Sequence, residues 1–559
     1  MPEKRICKIT GREFEIRERE IEFLKKITPV FNGVKYPFPL PEFCPDERLR
    51  LRTLHRNEQY MYRTRSAMDD KPLVSVFSPD KPYKIYPQSY WFSDNWDPLG
   101  YGRDYDFNQT FFKQFHELSK DVPHANMVVM NNENSEYTTG TGFCKNCYLI
   151  NSSEYCEDCY YGKLLQDCKN AVDTSYAYDS ELLYECFDVR NCYNCEYVYN
   201  SQNSSDCRFC DNITGCRNCF LCVNLNGKEY YFMNKGLSKA EYELKIKEFH
   251  GYSGVQKALK IFDELRAKRI HKYGNILNSE NCSGDFIRDS RNCIDCYDVN
   301  DSQDCMYVHV GVKCNDLLDC SNMYIKPELS YQTMGVIETF NVHFCIYVFY
   351  SSDLLYCENC YSCKYCFGCS GLRNKNYCVF NKQYTKAEYE ALVPKIIEYM
   401  QKGNEWGKFF PEWISPFAYN ETLANDYLPL TKKEALLKSY RWKDDIDQTP
   451  EVEKTIQAER LPDKIEDIPD DILNWAIVCE KSKRPYKLIP QELKFYRAHG
   501  IPVPHRHPDV RHKDRMALRN PRKLYDRKCA KCNTDIQTTY SPDRPETVYC
   551  EQCYLKEVY

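Results

Sequence analysis

Residues 143–160 read FCKNCYLINSSEYCEDCY, and every cysteine in this stretch stands at a position divisible by three. The same register continues as far as Cys222, through positions 144, 147, 156, 159, 168, 186, 192, 195, 207, 210, 216, 219 and 222. A helix repeats every 3.6 residues and a strand every 2, so neither alone produces this spacing. A register kept over such a length predicts one small structural unit that is repeated many times.

The register returns later in the chain and predicts a β-solenoid. Cysteines 293, 296, 305, 314 and 320 share one phase, and cysteines 345, 357, 360, 363, 366, 369 and 378 share another. Many of these cysteines follow Asn or Asp, which suit corners because they tolerate left-handed backbone. Cys is small enough to stack inside a narrow coil, and a neighbouring Tyr or Phe would then project outward. We predict a mainly β fold with a duplicated Cys-rich β-solenoid, and its coil length, 9 or 12 residues, stays open.

The chain contains two nested duplications. At its ends, the segment Ser78–Pro82 recurs as Ser541–Pro545, and Cys7 matches Cys479 a little upstream. In the middle, Phe220–Tyr242 recurs as Phe367–Tyr389, and each copy ends in a helix with a capping box. Two related zinc-ribbon-like α+β modules therefore flank the solenoid. The predicted division is a degenerate module at 1–94, a connecting segment at 95–132, solenoid halves at 133–249 and 279–402, a helical spacer at 250–278, an acidic linker at 403–475 and a zinc-ribbon module at 476–559.

The C-terminal module carries a strong metal motif. Cys529 and Cys532 form one Cys-x-x-Cys pair, and Cys550 and Cys553 form a second. Two such pairs on a short hairpin supply four thiolates for one structural zinc, about one per chain, with no open catalytic position. In the N-terminal copy the matching positions are occupied by Ser66, Asp69, Pro87 and Tyr90. A second and weaker site is predicted from Cys7 with Cys44 in one module and Cys479 with His507 in the other.

The ladder cysteines have two interpretations. Stacked thiols could bind zinc or an iron–sulfur cluster, which would make the protein a metal or redox buffer. The register nevertheless runs through single cysteines such as Cys168 and Cys186, and Tyr or Ser replaces Cys in other triplets. A tetrahedral site does not tolerate such drift, so the sequence favours cysteines that pack inside the coil.

A basic stretch precedes the C-terminal Cys pairs. Its predicted nucleic-acid-binding residues are Arg506, Arg511, Lys513, Arg515, Arg519, Arg522, Lys523 and Arg527. The whole chain has a net charge of −5, so this stretch stands out as a surface for phosphate. A solvated helix face, or arginines paired with the acidic linker, would give the same sequence pattern.

The paired modules, the Asn-Cys-Tyr repeats and the segment Asn381–Tyr389 resemble a family of uncharacterised Cys- and Tyr-rich zinc-ribbon proteins from candidate-phyla bacteria with small genomes. The resemblance implies no activity. Members of this family carry fuller cysteine sets in the terminal modules. This chain departs from that pattern at Thr10, Glu47, Ser482 and Val510.

The remaining sequence features limit the function classes. There is no apolar leader and no apolar run long enough to cross a bilayer, so a reducing cytoplasm is the expected compartment. There is no phosphate loop and no His-Glu-x-x-His motif. We therefore predict a non-enzymatic zinc-binding scaffold that docks on RNA or a ribonucleoprotein. The alternatives are the metal or redox buffer and a protein-interaction solenoid that uses its Tyr/Phe ladder for a partner or a second copy.

Overall fold

The computed structural model describes residues 1–558 except 313, 314, 320, 326, 327, 445–449, 451 and 453. The fold is mainly β, as the sequence predicts. Cys314 and Cys320, two positions of the predicted cysteine register, lie outside the described residues. Within the described residues, no helix combines the length and the apolar character that a membrane span requires.

The N-terminal module is small and built from short elements. Its elements are β1 (Glu3–Ile6), β2 (Glu13–Ile16), α1 (Glu18–Lys26), β3 (Val30–Phe31), β4 (Val34–Lys35), α2 (Pro45–Thr53), β5 (Tyr62–Arg65), β6 (Pro72–Ser75), β7 (Ile85–Tyr86) and α3 (Gln88–Trp91). The chain continues through α4 (Phe111–Asp121) and β8 (His124–Ala125), which pairs with β7.

The first Cys-rich region forms one 13-stranded, almost entirely parallel sheet, which we call the first ladder. Its strands are β9 (Val129–Met130), β10 (Thr139–Gly142), β11 (Asn151–Glu154), β12 (Lys163–Gln166), β13 (Lys169–Val172), β14 (Ser175–Tyr178), β15 (Glu181–Tyr184), β16 (Phe187–Arg190), β17 (Tyr193–Gln202), β18 (Arg208–Thr214), β19 (Arg217–Asn226), β20 (Glu229–Phe232) and β21 (Lys235–Gly236). Paired residues are 12 positions apart, as in Ser175 with Phe187. Of the two spacings in the sequence, 12 is therefore the strand-pairing interval.

Two helices and a short strand separate the first ladder from the second. They are α5 (Lys239–Ile246), α6 (Gly251–Lys268) and β22 (Ile270–Lys272). The second ladder comprises two 8-stranded sheets. Its strands are β23 (Ile276–Leu277), β24 (Gly284–Arg288), β25 (Cys296–Asn300), β26 (Cys305–Met306), β27 (His309–Val312), β28 (Asn315–Leu318), β29 (Ser321–Ile325), β30 (Glu328–Tyr331), β31 (Met334–Ile337), β32 (Phe340–His343), β33 (Ile346–Phe349), β34 (Ser352–Leu355), β35 (Glu358–Tyr361), β36 (Lys364–Phe367), β37 (Asn376–Val379) and β38 (Lys382–Gln383).

Each ladder is followed by a helix with the capping box that the sequence predicts. Ser238 with Glu241 caps α5, and Thr385 with Glu388 caps the helix after the second ladder. The rest of the chain consists of α7 (Lys386–Lys402), α8 (Leu423–Tyr427), α9 (Lys432–Leu437), β39 (Lys454–Gln457), β40 (Trp475–Val478), β41 (Pro485–Tyr486), α10 (Pro490–His499), α11 (Pro508–Met516), β42 (Tyr525–Lys528), β43 (Asp535–Thr538), β44 (Thr547–Tyr549) and α12 (Glu551–Val558).

A left-handed residue at every third position produces the triplet register. From residue 143 to residue 230 each third residue has a positive φ, with glycine at 215 and 227. Asn and Asp occupy many of these positions, because their short side chains tolerate the left-handed region. Tyr161, Tyr176 and Leu182 adopt it too, at a cost of about 1–2 kcal/mol each. Packing between successive triplets has to offset that cost.

The cysteine that follows a left-handed residue points into the ladder. All described ladder cysteines except Cys282 are buried, and the described cysteines form no disulfide. Their thiols lie close to backbone carbonyls on either side: the Cys156 Sγ is 3.3 Å from the Glu154 oxygen and 3.5 Å from the Leu165 oxygen. A small side chain with a weak donor suits a narrow interior lined with carbonyls. The inward assignment of the cysteines is therefore confirmed.

The aromatic ladder is largely covered by the chain itself. Rings stack at intervals of 12 residues, as in Tyr197 on Phe209 at 4.8 Å between centroids. Phe209 packs with α6, and Phe344 and Tyr356 pack with α4 and α7 in a single aromatic core. Helices from distant parts of the chain cover these rings, so here the aromatic ladder serves as packing surface. Its use for a protein partner or a second copy stays a prediction. Exposed rings such as Tyr155 and Tyr350 remain available for a partner.

The predicted acidic linker at 403–475 packs against the rest of the chain at several of its described residues. Trp406 and Phe410 are buried in the aromatic core of the second ladder. Further along, Ile465 and Ile472 are buried against the first ladder and the C-terminal module. These apolar residues lie between the acidic ones, so burial of apolar area holds the segment on the surface of the ladders.

Candidate functional site

Four thiols converge in the C-terminal module. The Sγ atoms of Cys529, Cys532, Cys550 and Cys553 all lie within 4.8 Å of one another. The Sγ atoms of Cys532 and Cys550 are 3.7 Å apart. Tetrahedral zinc with Zn–S bonds of about 2.3 Å separates its sulfurs by about 3.8 Å, so this arrangement fits the metal. Among the residues that the structure describes, it is the one group of three or more such side chains with this geometry.

Local structure explains how the thiols meet. The first Cys pair follows β42 at the hairpin with β43, and Asn533 closes the turn with a positive φ of 63°. The second pair lies at the start of α12, where the Cys550 amide donates to the Cys529 Sγ at 3.2 Å. Amide donors of this kind stabilise a thiolate, so the backbone prepares the site for a cation.

The N-terminal module keeps this hairpin without the ligands. Strands β5 and β6 pair in the register of β42 and β43, and Asp70, with a φ of 56°, occupies the place of Asn533. Ser66 and Asp69 stand where the first Cys pair would be. The turn therefore persists through backbone conformation alone.

The weaker predicted metal sites do not assemble three ligands within the described part of the chain. Cys7 and Cys44 are buried, but no further His, Cys or carboxylate joins them in such a group. In the other module the Cys479 Sγ accepts from the Ser482 amide at 3.3 Å. His507 caps α11, since its Nδ1 accepts from the Asp509 amide at 3.1 Å. That bond occupies one of the two ring nitrogens through which His507 could bind a metal.

The basic stretch folds inward rather than forming a surface. Arg511 and Arg515 lie one turn apart on α11 and are 3% and 2% exposed. Both bind Asp173 of the first ladder, and Arg515 does so at 2.9 Å. Burial opposes the charge of Arg511, but Asp173 together with Tyr496, Glu492 and Tyr184 raises the pKa of this guanidinium well above its usual range. The charges of Arg511 and Arg515 are paired with buried acids rather than presented to solvent, and phosphate binding by these two residues stays a prediction.

Arg519 and Arg522 are likewise buried and paired with an acidic residue. Both pair with Asp298 of the second ladder, and their side chains are 7% and 8% exposed. Arg519 also lies over the Phe286 ring, at 3.7 Å from the centroid. These two residues therefore link the C-terminal module to the second ladder, and their binding of phosphate stays a prediction.

The other four predicted residues keep more exposure, but most are neutralised. Arg506 binds Glu480 and Asp514, each at 2.9 Å. Lys513 binds Asp509 at 2.9 Å, and Arg527 donates to backbone carbonyls. Lys523 is exposed and has no carboxylate within salt-bridge distance among the described residues. A single free lysine does not make a phosphate surface.

The N-terminal module repeats this clamp on the second ladder. Arg48 binds Glu20 and Asp319, both at 2.8 Å, and its guanidinium lies 5.2 Å from the Tyr307 ring. In the C-terminal copy, Arg511 binds Glu492 and Asp173 and lies 5.0 Å from the Tyr161 ring. Each module thus inserts an arginine between its own glutamate and a ladder aspartate. The sequence carried a signal for this, because Arg and Glu recur together at equivalent positions of both modules.

Comparisons with known proteins add no function. No protein-family model matches the chain, and no curated protein matches it. One solved structure, described as an acetyltransferase from Desulfovibrio desulfuricans G20, aligns with 11% identity over 50% of this chain and 82% of its own, at a TM-score of 0.13. A score of that size does not establish a shared fold, so it carries no argument.

We expect thiol labelling to divide the cysteines into two classes. After chelation, Cys532, Cys550 and Cys553 should react with iodoacetamide in the native protein, because they are exposed or partly exposed. Buried ladder cysteines such as Cys195 and Cys363 should react only at the rate of unfolding. Mass spectrometry of labelled peptides measures both classes. Fast labelling of the ladder in the untreated protein would contradict the packing described above.

Proposed function

We propose that this protein is a non-enzymatic, zinc-braced binding scaffold whose two ladders are halves of a β-solenoid with 12-residue coils. The observation that carries the proposal is the pair of equivalent clamps, in which Arg48 meets Asp319 and Arg511 meets Asp173. Such buried charges fix the position of one element on another more than they stabilise it. The modules are therefore devices that hold the two halves in a defined arrangement.

Zinc is the metal that the C-terminal cluster fits best. Four thiolates favour zinc over magnesium or calcium, which prefer oxygen ligands. Four protein ligands also leave no position for a reacting water, so the site is structural. Its role in the scaffold is to hold the β42–β43 hairpin against α12, whose Tyr554 reaches Asn212 of the first ladder.

The two alternative functions find less support. A metal or redox buffer needs accessible thiols, whereas the described ladder cysteines are buried apart from Cys282. Docking on RNA through the basic stretch would require arginines that are instead paired with Asp173 and Asp298. A scaffold that binds its ligand elsewhere is consistent with both observations.

Metal analysis tests the zinc brace. We expect about one zinc per chain, and we expect Cys529→Ser with Cys550→Ser to lose it and to loosen the C-terminal module in limited proteolysis while the ladders stay protected. Ser66→Ala in the N-terminal module is the matched control and should keep the metal. Four or more zincs per chain would favour the buffer instead.

Isolation from native lysate tests the mode of binding. We expect RNase to leave the associated molecules unchanged, since the arginines paired with Asp173 and Asp298 are buried. Loss of those molecules on RNase treatment would restore the RNA-docking hypothesis.

A further inference from the structure

A cavity of about 350 Å³, lined by both polar and apolar side chains, lies between the two ladders. One wall comes from β16, β17 and β18, and the other from β23, β24 and β25. Tyr554 and Leu555 of α12 close one side, so the zinc-bearing helix forms part of the enclosure. A second cavity of about 260 Å³ adjoins it and shares Asn200, Lys272 and Arg519. These volumes lie in or near the range of small-molecule sites in proteins.

Two arginines face this cavity from opposite walls. Arg190 comes from the first ladder and Arg288 from the second. Arg190 has one carboxylate partner, the half-exposed Asp179 at 3.3 Å. Among the described residues, no carboxylate lies within salt-bridge distance of Arg288. Burial and then the charge of Arg190 lower the pKa of Arg288, so the two guanidinium groups repel each other. An anion placed between them would relieve that repulsion.

The cavity also holds polar atoms without partners. The Oδ1 of Asn300 and the Nη1 of Arg519 are buried, and neither has a hydrogen-bond partner in the described structure. Arg519 is itself 7% exposed and fixed by Asp298. Buried polar atoms in this state usually mark the place of a ligand or water. An acceptor and a donor on residues that line the same cavity suit a ligand that carries hydroxyl groups.

The duplicated half shows that the fold does not require these groups. Arg190, Gln202 and Thr214 form one column of paired residues in the first ladder. The matching column of the second ladder consists of Ile337, Phe349 and Tyr361. There Phe349 and Tyr361 stack at 4.7 Å, so aromatic packing takes the place of the polar groups.

The same contrast holds for the opposite wall. Arg288 pairs with Asn300, and the matching pair in the other copy is Gly142 with Glu154. Arg56 is the counterpart of Arg519, and Ser152 is the counterpart of Asp298. Arg56 donates a hydrogen bond to Ser152. Both duplicated halves therefore have the same arrangement of ladder and module, whereas the two facing arginines occur at only one of the two equivalent places.

We propose that this cavity binds a small organic anion that carries hydroxyl groups, of the class of sugar phosphates and uronic acids. Arg190 and Arg288 hold the phosphate or carboxylate between them, since guanidinium groups bind such anions in bidentate fashion. Asn200, Asn300 and Asp188 line the cavity and exchange hydrogen bonds with the hydroxyls. The inference rests on the proposed scaffold function, because the modules and ladders together form the walls.

Calorimetric titration of the full-length zinc-loaded protein tests the site. The probes are glucose 6-phosphate, glucuronate, inorganic phosphate and glucose. We expect at least one of the two sugar anions to bind at least about tenfold more tightly than phosphate, and glucose not to bind. The sugar anion that binds more tightly shows whether the cavity prefers a phosphate or a carboxylate group. Failure of both sugar anions to bind, or equal binding of glucose, would overturn the proposal.

Substitutions localise the binding. Arg288→Gln and Arg190→Gln should each weaken binding of the sugar anion by about tenfold or more, because each removes a charge-assisted contact. The matched controls are the more exposed ladder arginines Arg291→Gln and Arg217→Gln, which should bind as wild type does. Unchanged binding in Arg288→Gln would place the anion elsewhere. Zinc content and thermal unfolding of the same variants report on the scaffold separately, so failure of the site and failure of the scaffold are distinguishable.

Discussion

Replacing Cys195 or Cys363 by arginine is expected to abolish folding of the ladder that contains it. Both side chains are fully buried in the cysteine-lined interior. The Cys195 thiol lies 3.8 Å from the Ser204 carbonyl oxygen, and the Cys363 thiol lies 3.3 Å from the Tyr361 carbonyl oxygen, so both thiols contact uncharged backbone. Burial of a charge without a partner costs several kcal/mol or more, comparable to the whole stability of a typical domain, about 5–15 kcal/mol.

Conservative replacements at the same positions provide the control. Ser180, Ser201 and Ser204 already occupy inward positions of the first ladder, and each of their hydroxyls donates to a carbonyl two residues earlier. Cys195→Ser should therefore fold, with a loss of about 1–2 kcal/mol at most. Circular dichroism and limited proteolysis measure both variants. A folded Cys195→Arg protein with wild-type melting would show that the interior is open to water.

The fold was predictable where local conformation determines it. Asn and Asp before cysteine indicated corners, and residues such as Asn194 and Asp206 do adopt the left-handed conformation. The strand-pairing interval of 12 was not predictable, because the structure contains contacts at both spacings. The Cys156 thiol contacts the carbonyl nine residues on, whereas its neighbour Glu154 pairs with Gln166 twelve residues on. The separations of 9 and 12 between cysteines in the sequence reflect these two kinds of contact together, so counting them does not reveal which one is the strand pairing.

The four-cysteine cluster was predictable for the same reason. Cys529 and Cys532 lie in one hairpin turn, and Cys550 and Cys553 lie at the start of one helix, so each pair is fixed by local structure. The interface cavity was not, since Arg190 and Arg288 meet only because the ladders lie side by side. No local pattern distinguishes either residue from other ladder arginines.

The ion pairs of the basic stretch were not predictable, because its partners are distant in sequence. Arginines one turn apart on a helix look the same whether they face solvent, phosphate or a buried acid. Arg515 finds Asp173 more than 300 residues earlier in the chain. The recurrence of Glu20 with Arg48 as Glu492 with Arg511 pointed to a shared internal contact, and such paired recurrence is the stronger signal.

Asp173→Ala is expected to be the most damaging substitution at the clamps. Its carboxylate is fully buried and binds both Arg511 and Arg515, so its loss leaves two buried guanidinium groups short of a counter-ion. Removal of one partner of a buried pair costs about 3–5 kcal/mol. Asp319→Ala should do the same at the N-terminal clamp, where Arg48 and Arg52 converge. Urea unfolding measures both losses.

An exposed pair of the same charge type provides the comparison. Lys528 binds Asp535 at 2.7 Å, but the two side chains are 57% and 88% exposed. Asp535→Ala should therefore cost less than about 1 kcal/mol. In a double-mutant cycle, Asp173→Ala with Arg515→Ala should be less destabilising than the sum of the single changes, because the second removes a charge that the first leaves unpaired. If Asp173→Ala costs no more than Asp535→Ala, the modules do not clamp the ladders, and the basic stretch becomes free to serve as the phosphate surface that its composition suggests.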